Sequence, residues 1–158
     1  MSFVTLPDAK LHLRGVDGTE EDALIGVYIT AAEQMAIALL DRGVYADGTA
    51  LGAARAAALA GLAAATATYT AAIAAAQALA DTTEQAAATQ AAGYAYLRAQ
   101  VAYRQTMDGM VVNDVIKSAV LLIVGHLYAH REDVVAGVSV AKLPNGAEWL
   151  LAPYKVYA

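Results

Sequence analysis

Cysteine is absent from the 158 residues, which removes disulfides, thiolate metal sites and cysteine nucleophiles together and leaves the redox compartment open. Bases are scarce as well: ten Lys and Arg stand against fifteen Asp and Glu, a net charge of -5. A protein that grips nucleic acid through its phosphates needs the opposite balance, so an ordinary DNA binder is disfavoured. Ser2, Ser118 and Ser139 lack a nucleophile-elbow motif, and no glycine-rich phosphate loop follows a strand. The N-terminal stretch Met1-Ser2-Phe3-Val4 has no basic start, no apolar run of signal-peptide length and no small-residue cleavage site, so residence in the cytosol is the default expectation.

What the chain has in quantity is alanine, 40 residues of it. The apolar fraction of 59% therefore overstates the oiliness, because a methyl side chain contributes little transfer free energy beside Leu or Ile. Alanine is better read as a helix former. A chain of this length buries roughly two-thirds of its unfolded surface, enough for a self-sufficient core but too little for two large domains.

Helix signals recur along the chain. Thr5-Leu6-Pro7-Asp8 puts a capping hydroxyl first, then a proline in the first turn and a carboxylate near the positive helix end. The spacing predicts a short helix to about Arg14, stopped at Gly15. Thr19-Glu20-Glu21-Asp22 opens a second helix, whose inner face is expected at Leu24, Tyr28, Ala31, Met35 and Leu39 and whose end falls at Arg42-Gly43. Residues 46–107 hold most of the alanines and few charges. They break once, at 81–84, where Thr82 can cap a new helix with Gln85 three positions on. Two long helices, about 49–80 and 83–107, follow. In the first, Leu59, Leu62, Thr66, Tyr69, Ile73, Ala76 and Ala80 alternate in steps of three and four, the seam of a helix lying along a neighbour. In the second, Tyr96, Gln100, Tyr103 and Met107 form one stripe, and Tyr94, Leu97 and Val101 an adjoining one.

Asn113 or Asp114 can start a further helix, to about Glu132, whose centre at 119–125 is apolar on all sides and is expected to be buried within a domain or between subunits. Val138-Ser139-Val140-Ala141 reads as a short strand or extended arm. Pro144-Asn145-Gly146 reads as a turn, and 147–152 as one or two helical turns ended by Pro153. The fold class is all-α: one domain over 1–158, a small helical bundle with a long antiparallel helical hairpin inserted at 46–107 and an extended C-terminal arm at 137–158.

Candidate chemistry is sparse. His126 and His130 sit four apart and could hold one ion, but a metalloprotease-type site needs Glu directly after the first His, and Leu127 stands there. Glu20, Glu21 and Asp22 are where a helix start attracts acids anyway, with no base or nucleophile beside them. No catalytic residue, metal ligand or cofactor is assigned.

Three stretches resemble the head-tail connector proteins of long-tailed bacteriophages, also called head completion or neck adaptor proteins. The first is Leu6-Pro7-Asp8-Ala9-Lys10-Leu11-His12-Leu13-Arg14 with Asp22-Ala23-Leu24-Ile25 and Asp41-Arg42-Gly43. The second runs over 116–132, from Ile116-Lys117-Ser118 to His130-Arg131-Glu132, and the third is Leu143-Pro144-Asn145-Gly146-Ala147-Glu148-Trp149-Leu150-Leu151-Ala152-Pro153-Tyr154. Together they cover roughly 1–45 and 110–155. The alanine-rich block replaces what is a much shorter connection in that family.

The resemblance implies a non-enzymatic structural subunit of the virion neck, made in the host cytoplasm, that forms a twelvefold homo-oligomeric ring below the portal protein. Such a ring extends the DNA channel, passes double-stranded DNA through its lumen without specific binding, and offers a docking face to a stopper or tail-completion protein. An acidic balance suits a channel that DNA must slide through. By the same resemblance the tail reaches the portal, with Leu150, Leu151, Pro153, Tyr154, Lys155, Val156 and Tyr157 as contact candidates. Removal of 150–158 is then expected to leave the subunit folded. Val120, Leu122, Ile123, Leu127, Tyr128 and Trp149 are the candidates for core or subunit interface. Two alternatives stand beside this. One is a small holin-like phage membrane protein using the uncharged run 56–80, disfavoured by the weak apolarity of Ala. The other is a helical-bundle enzyme with a metal on His126 and His130.

Overall fold

The computed structural model describes residues 2–130 and 145–156. In chain order its elements are helix α1 (Leu6–Leu13), helix α2 (Asp22–Leu40), strand β1 (Val44–Tyr45), helices α3 (Gly48–Gln77) and α4 (Thr82–Met107), strand β2 (Met110–Val111), and helices α5 (Asp114–Ala129) and α6 (Asn145–Leu151). A 3-10 turn at Ala152–Tyr154 follows. The class is all-α. The chain divides into two compact units, one made of Met1–Asp47 with Met110–Ala158, the other of Gly48–Gly109.

In the first unit α1 begins as its residues require. The Thr5 hydroxyl accepts from the Asp8 amide, and the Asp8 carboxylate accepts from the Thr5 amide and hydroxyl. Those bonds from Thr5 hold the Asp8 carboxyl below the usual carboxylate range. The helix stops where Arg14 and Gly15 both adopt positive φ, 52° and 79°, a turn in which only Gly15 is free of steric penalty.

α2 starts at Asp22, and Glu21 before it makes no side-chain cap. Its buried column is Ile25, Ile29, Ala32, Ala36 and Leu40, one residue round from the expected Leu24, Tyr28, Ala31, Met35 and Leu39. Leu24 and its column are half-buried flanks. Facing α2, α5 buries Ile116, Ala119, Val120, Ile123 and Val124, while Ala147 and Leu151 of α6 and Phe3 and Val4 complete the core. Burial of each large aliphatic here stabilises by about 1.5–3 kcal/mol. β1 pairs in parallel with β2, Val44 opposite Met110.

Three expectations are corrected. Within the subunit α5 is not buried all round: Leu122 is 37% exposed, and Lys117 and Ser118 are exposed too. The helical turns expected at 147–152 form as α6, but the segment is not an extended arm over 145–154, because Leu151 is fully buried in the core. It is also tied down beyond the helix, since Arg42 donates to the Tyr154 carbonyl at 3.3 Å and the Val156 amide donates to the Leu40 carbonyl at 3.0 Å. Removal of 150–158 therefore takes away part of the subunit's own core. The expected strand at 138–141, Pro144 of the turn, and the extension of α5 to Glu132 lie outside the described residues.

The second unit is built by α3 and α4 packed along one another. Arg55 near the start of α3 donates to the carbonyls of Met107 and Gly109 at the end of α4, at 2.9 and 3.1 Å. Farther along α3, Tyr69 stacks on Tyr96 with ring centroids 4.9 Å apart. The two helices thus run in opposite directions. Along α3, the less exposed positions are Leu51, Ala54, Ala58, Leu62, Ala65, Tyr69, Ala72 and Ala76, steps of three and four throughout. Expected seam residues Leu62, Tyr69, Ile73 and Ala76 lie on that side. Leu59, Thr66 and Ala80 are exposed instead. The cap of α4 is Asp81, one residue before the expected Thr82: its carboxylate accepts from the amides of Thr83 and Glu84 at 2.7 and 2.9 Å.

Candidate functional site

The chemistry-bearing residues of the first unit are mostly engaged in holding it together. The Glu21 carboxylate accepts a short hydrogen bond from the Tyr128 hydroxyl, and Asp22 forms an ion pair with Lys10. Lys10 also donates to the Gly18 carbonyl at 2.6 Å. Glu21 and Asp22 therefore tie the α1–α2 connection to its neighbours, while Glu20 is exposed. Among the described residues no group of three or more His, Asp or Glu could hold a metal ion.

One shallow groove of about 570 Å³ runs between α1 and α5, lined by Asp8, Leu11, His12, Lys117, Ser118 and Leu121 among others. A serine and a histidine share it, but no hydrogen bond joins Ser118 to His12, so the groove lacks the hydroxyl-to-base relay that activates a serine. Its Asp8 and Lys117 sit close enough to influence one another electrostatically. The arrangement suits polar contact with another surface better than enclosure of a small molecule.

Several large apolar side chains of the first unit are exposed. Trp149 is 80% exposed, Leu11 81% and Val27 63%. Leu122 on α5 adjoins α6, its Cδ1 lying 3.7 Å from where a Gly146 side chain would begin, and Trp149 follows Gly146 by one helical turn. Leu122 and Trp149 thus belong to neighbouring outward turns of α5 and α6. An exposed tryptophan is the residue type that protein contacts favour. Of the core or interface candidates, Val120 and Ile123 are buried, Leu127 and Tyr128 half-buried, and Leu122 and Trp149 exposed.

The tail candidates divide in the same way. Leu151 is buried, Leu150 and Tyr154 pack partly on the core, Val156 is half-buried, and Pro153 and Lys155 are exposed. Tyr157 lies outside the described residues. In the second unit the adjoining stripe Tyr94, Leu97 and Val101 is 58%, 55% and 45% exposed.

Sequence reasoning missed Glu33, a buried carboxylate whose Oε1 accepts from the Ser2 hydroxyl and from the amides of Phe3 and Val4, at 2.8, 2.8 and 3.0 Å. The available signal was an acid inside an apolar helical column, since a buried charge needs donors. By length and composition α2 and α3 could each cross a membrane; α2 contributes one face to the core just described. No family model, no curated protein and no solved structure matches this chain.

Proposed function

We propose that the chain is a structural head-tail connector of a tailed bacteriophage, a non-enzymatic subunit that assembles as a ring, twelvefold by the family resemblance, below the portal protein. The ring extends the DNA channel and gives a stopper or tail-completion protein its docking face, within the virion neck. The observation that supports this best is the first unit's pairing of a closed aliphatic core with outward Trp149, Leu122, Leu11 and Val27. Side chains of this size left in water fit a subunit completed by copies of itself and by neighbours.

In this reading the portal contact falls on the exposed part of the tail region, Pro153 and Lys155, and on Trp149. Leu151 works inside the subunit. The net charge of -5 fits a lumen along which DNA slides. The test is mass spectrometry and cryo-electron microscopy of purified virions. A ring of this chain between portal and tail is the expected result, and its absence from the particle overturns the proposal. Recovery only with membranes, released only by detergent, would point instead to the holin-like alternative.

A further inference from the structure

One pair of side chains carries chemistry that the connector reading does not use. His126, on the last turn of α5, and His130, at its C-terminal cap, stand with ring centroids 4.5 Å apart and ring planes inclined by 30°. His130 Nδ1 lies 3.1 Å from the carbonyl oxygen of His126. A carbonyl oxygen only accepts, so Nδ1 carries the proton and the neutral ring keeps its lone pair on Nε2. The same device recurs in metal-ligating histidines: one ring nitrogen donates to a backbone carbonyl, which fixes the tautomer and leaves the other nitrogen free for a cation.

His126 is half-buried and His130 exposed, and the Nδ1 contact to the His126 carbonyl sets the orientation of the His130 ring. Metal-nitrogen bonds of about 2.0–2.1 Å place two nitrogens that share an ion roughly 3–4 Å apart. Rings at 4.5 Å reach that separation by side-chain rotation. Imidazole pairs select borderline divalent ions such as zinc, nickel and copper over magnesium and calcium, which need oxygen ligands.

We infer that His126 and His130 form a two-imidazole chelate for a divalent transition-metal ion, with water in the remaining positions. Among the described residues no group of three or more His, Asp or Glu could hold a metal ion, so the inference rests on these two imidazoles alone. It stands apart from the connector proposal, and either can fail without the other.

Titration calorimetry of the untagged full chain with Zn²⁺ and Ni²⁺ in a non-coordinating buffer tests it. The expected result is one ion per chain for each, and no heat from Mg²⁺. His126→Ala and His130→Ala should each weaken binding at least tenfold, and the double variant little further, because either change breaks a chelate. His12→Ala should bind as the parent does. Absence of binding, its survival in both single variants, or its loss in His12→Ala overturns the inference. Should a variant lose helical circular dichroism, paramagnetic broadening of the parent's backbone spectrum by Ni²⁺ decides instead: broadening centred on 126–130 supports the site, and broadening centred elsewhere refutes it.

Discussion

Replacing Glu33 by alanine should be among the most damaging single changes in the first unit. One carboxylate oxygen takes three donors there, and two of them are the backbone amides of Phe3 and Val4, residues that are themselves buried. Without the carboxylate the chain has two choices. It can keep Phe3 and Val4 in the core and leave two buried amides unsatisfied, at about 1–3 kcal/mol each. Or it can release the segment to water and lose the burial of two large side chains, at about 1.5–3 kcal/mol each. The first route costs about 2–6 kcal/mol and the second about 3–6 kcal/mol, and the cheaper one sets the loss.

Glu33→Gln keeps an acceptor oxygen of the same reach but gives up charge assistance, so its loss should be nearer 1 kcal/mol. Urea denaturation measures the totals, and hydrogen exchange locates them: the amides of Phe3 and Val4 should be protected in the parent and exchange freely in Glu33→Ala. A Glu33→Ala protein within about 0.5 kcal/mol of the parent, the range of an ordinary surface change, would refute the assignment of this carboxylate as the anchor of the N-terminal segment.

On α5, Leu122→Asp should change stability by less than about 1 kcal/mol, whereas Ile123→Asp, one residue on and fully buried, should cost about 4 kcal/mol or more; equal losses by urea denaturation would contradict the placement of the two side chains. At the cap of α4, hydrogen bonds from the amides of Glu84 and then Thr83 hold the Asp81 carboxyl below its ordinary range. Its stabilising effect is therefore complete above the unfolded value and is lost as pH falls through the lower folded one, so the Tm gap between the parent and Asp81→Ala should be flat near neutrality and close in acid. Replacing Gly48–Gly109 by a Gly/Ser linker of about a dozen residues, the minimum reach for joining parallel strands, should leave the first unit folded, as judged by hydrogen exchange at Ile116 to Val124; loss of that protection would sink the division into two units.

Local signals in the sequence were the legible ones. Thr5 with Asp8 three positions on, Asn113 before an apolar run, and the change of composition at the alanine-rich block are each read without knowing what lies across the fold. Asn113 does cap α5, accepting from the Ile116 amide at 2.9 Å. What stayed hidden depends on partners. In α2 the columns through Leu24 and through Ile25 are both apolar and lie one residue, about 100°, apart; the position of α5 chooses between them, and no periodicity in α2 alone records that choice. Glu33 escaped notice because its partners are mainly backbone amides, which have no letter in the sequence. The family resemblance places Leu151 in a portal-contacting tail, although the helical turns expected at 147–152 do form; that this helix docks Leu151 on the core depends on partners across the fold. Trp149 is the converse case: a tryptophan is read as core by default, and here α6 turns Leu151 inward and leaves Trp149 in water.

The parallel ladder explains why so long an interruption is compatible with the first unit. Met110 donates to the Gly43 carbonyl at 2.9 Å and Val112 to the Tyr45 carbonyl at 2.8 Å, so the chain leaves from β1 and returns into β2 travelling in the same direction. A tight turn cannot join two parallel strands; some crossing segment has to be present. Its content is unconstrained by the first unit's core, which draws no residue from Gly48–Gly109. Within that segment the α3 seam is mostly alanine, a side chain that favours helix by itself and lets two backbones come close. Its side-chain attachments include the Tyr69–Tyr96 stack, the Thr66 hydroxyl bond to the Tyr96 hydroxyl and the Arg55 bonds to the carbonyls of Met107 and Gly109. The exposed Tyr94, Leu97 and Val101 are then its least explained side chains by folding alone, and the outward Leu122 and Trp149 hold the same position in the first unit. A linker-replaced chain that still assembled would assign the connector contacts to the first unit.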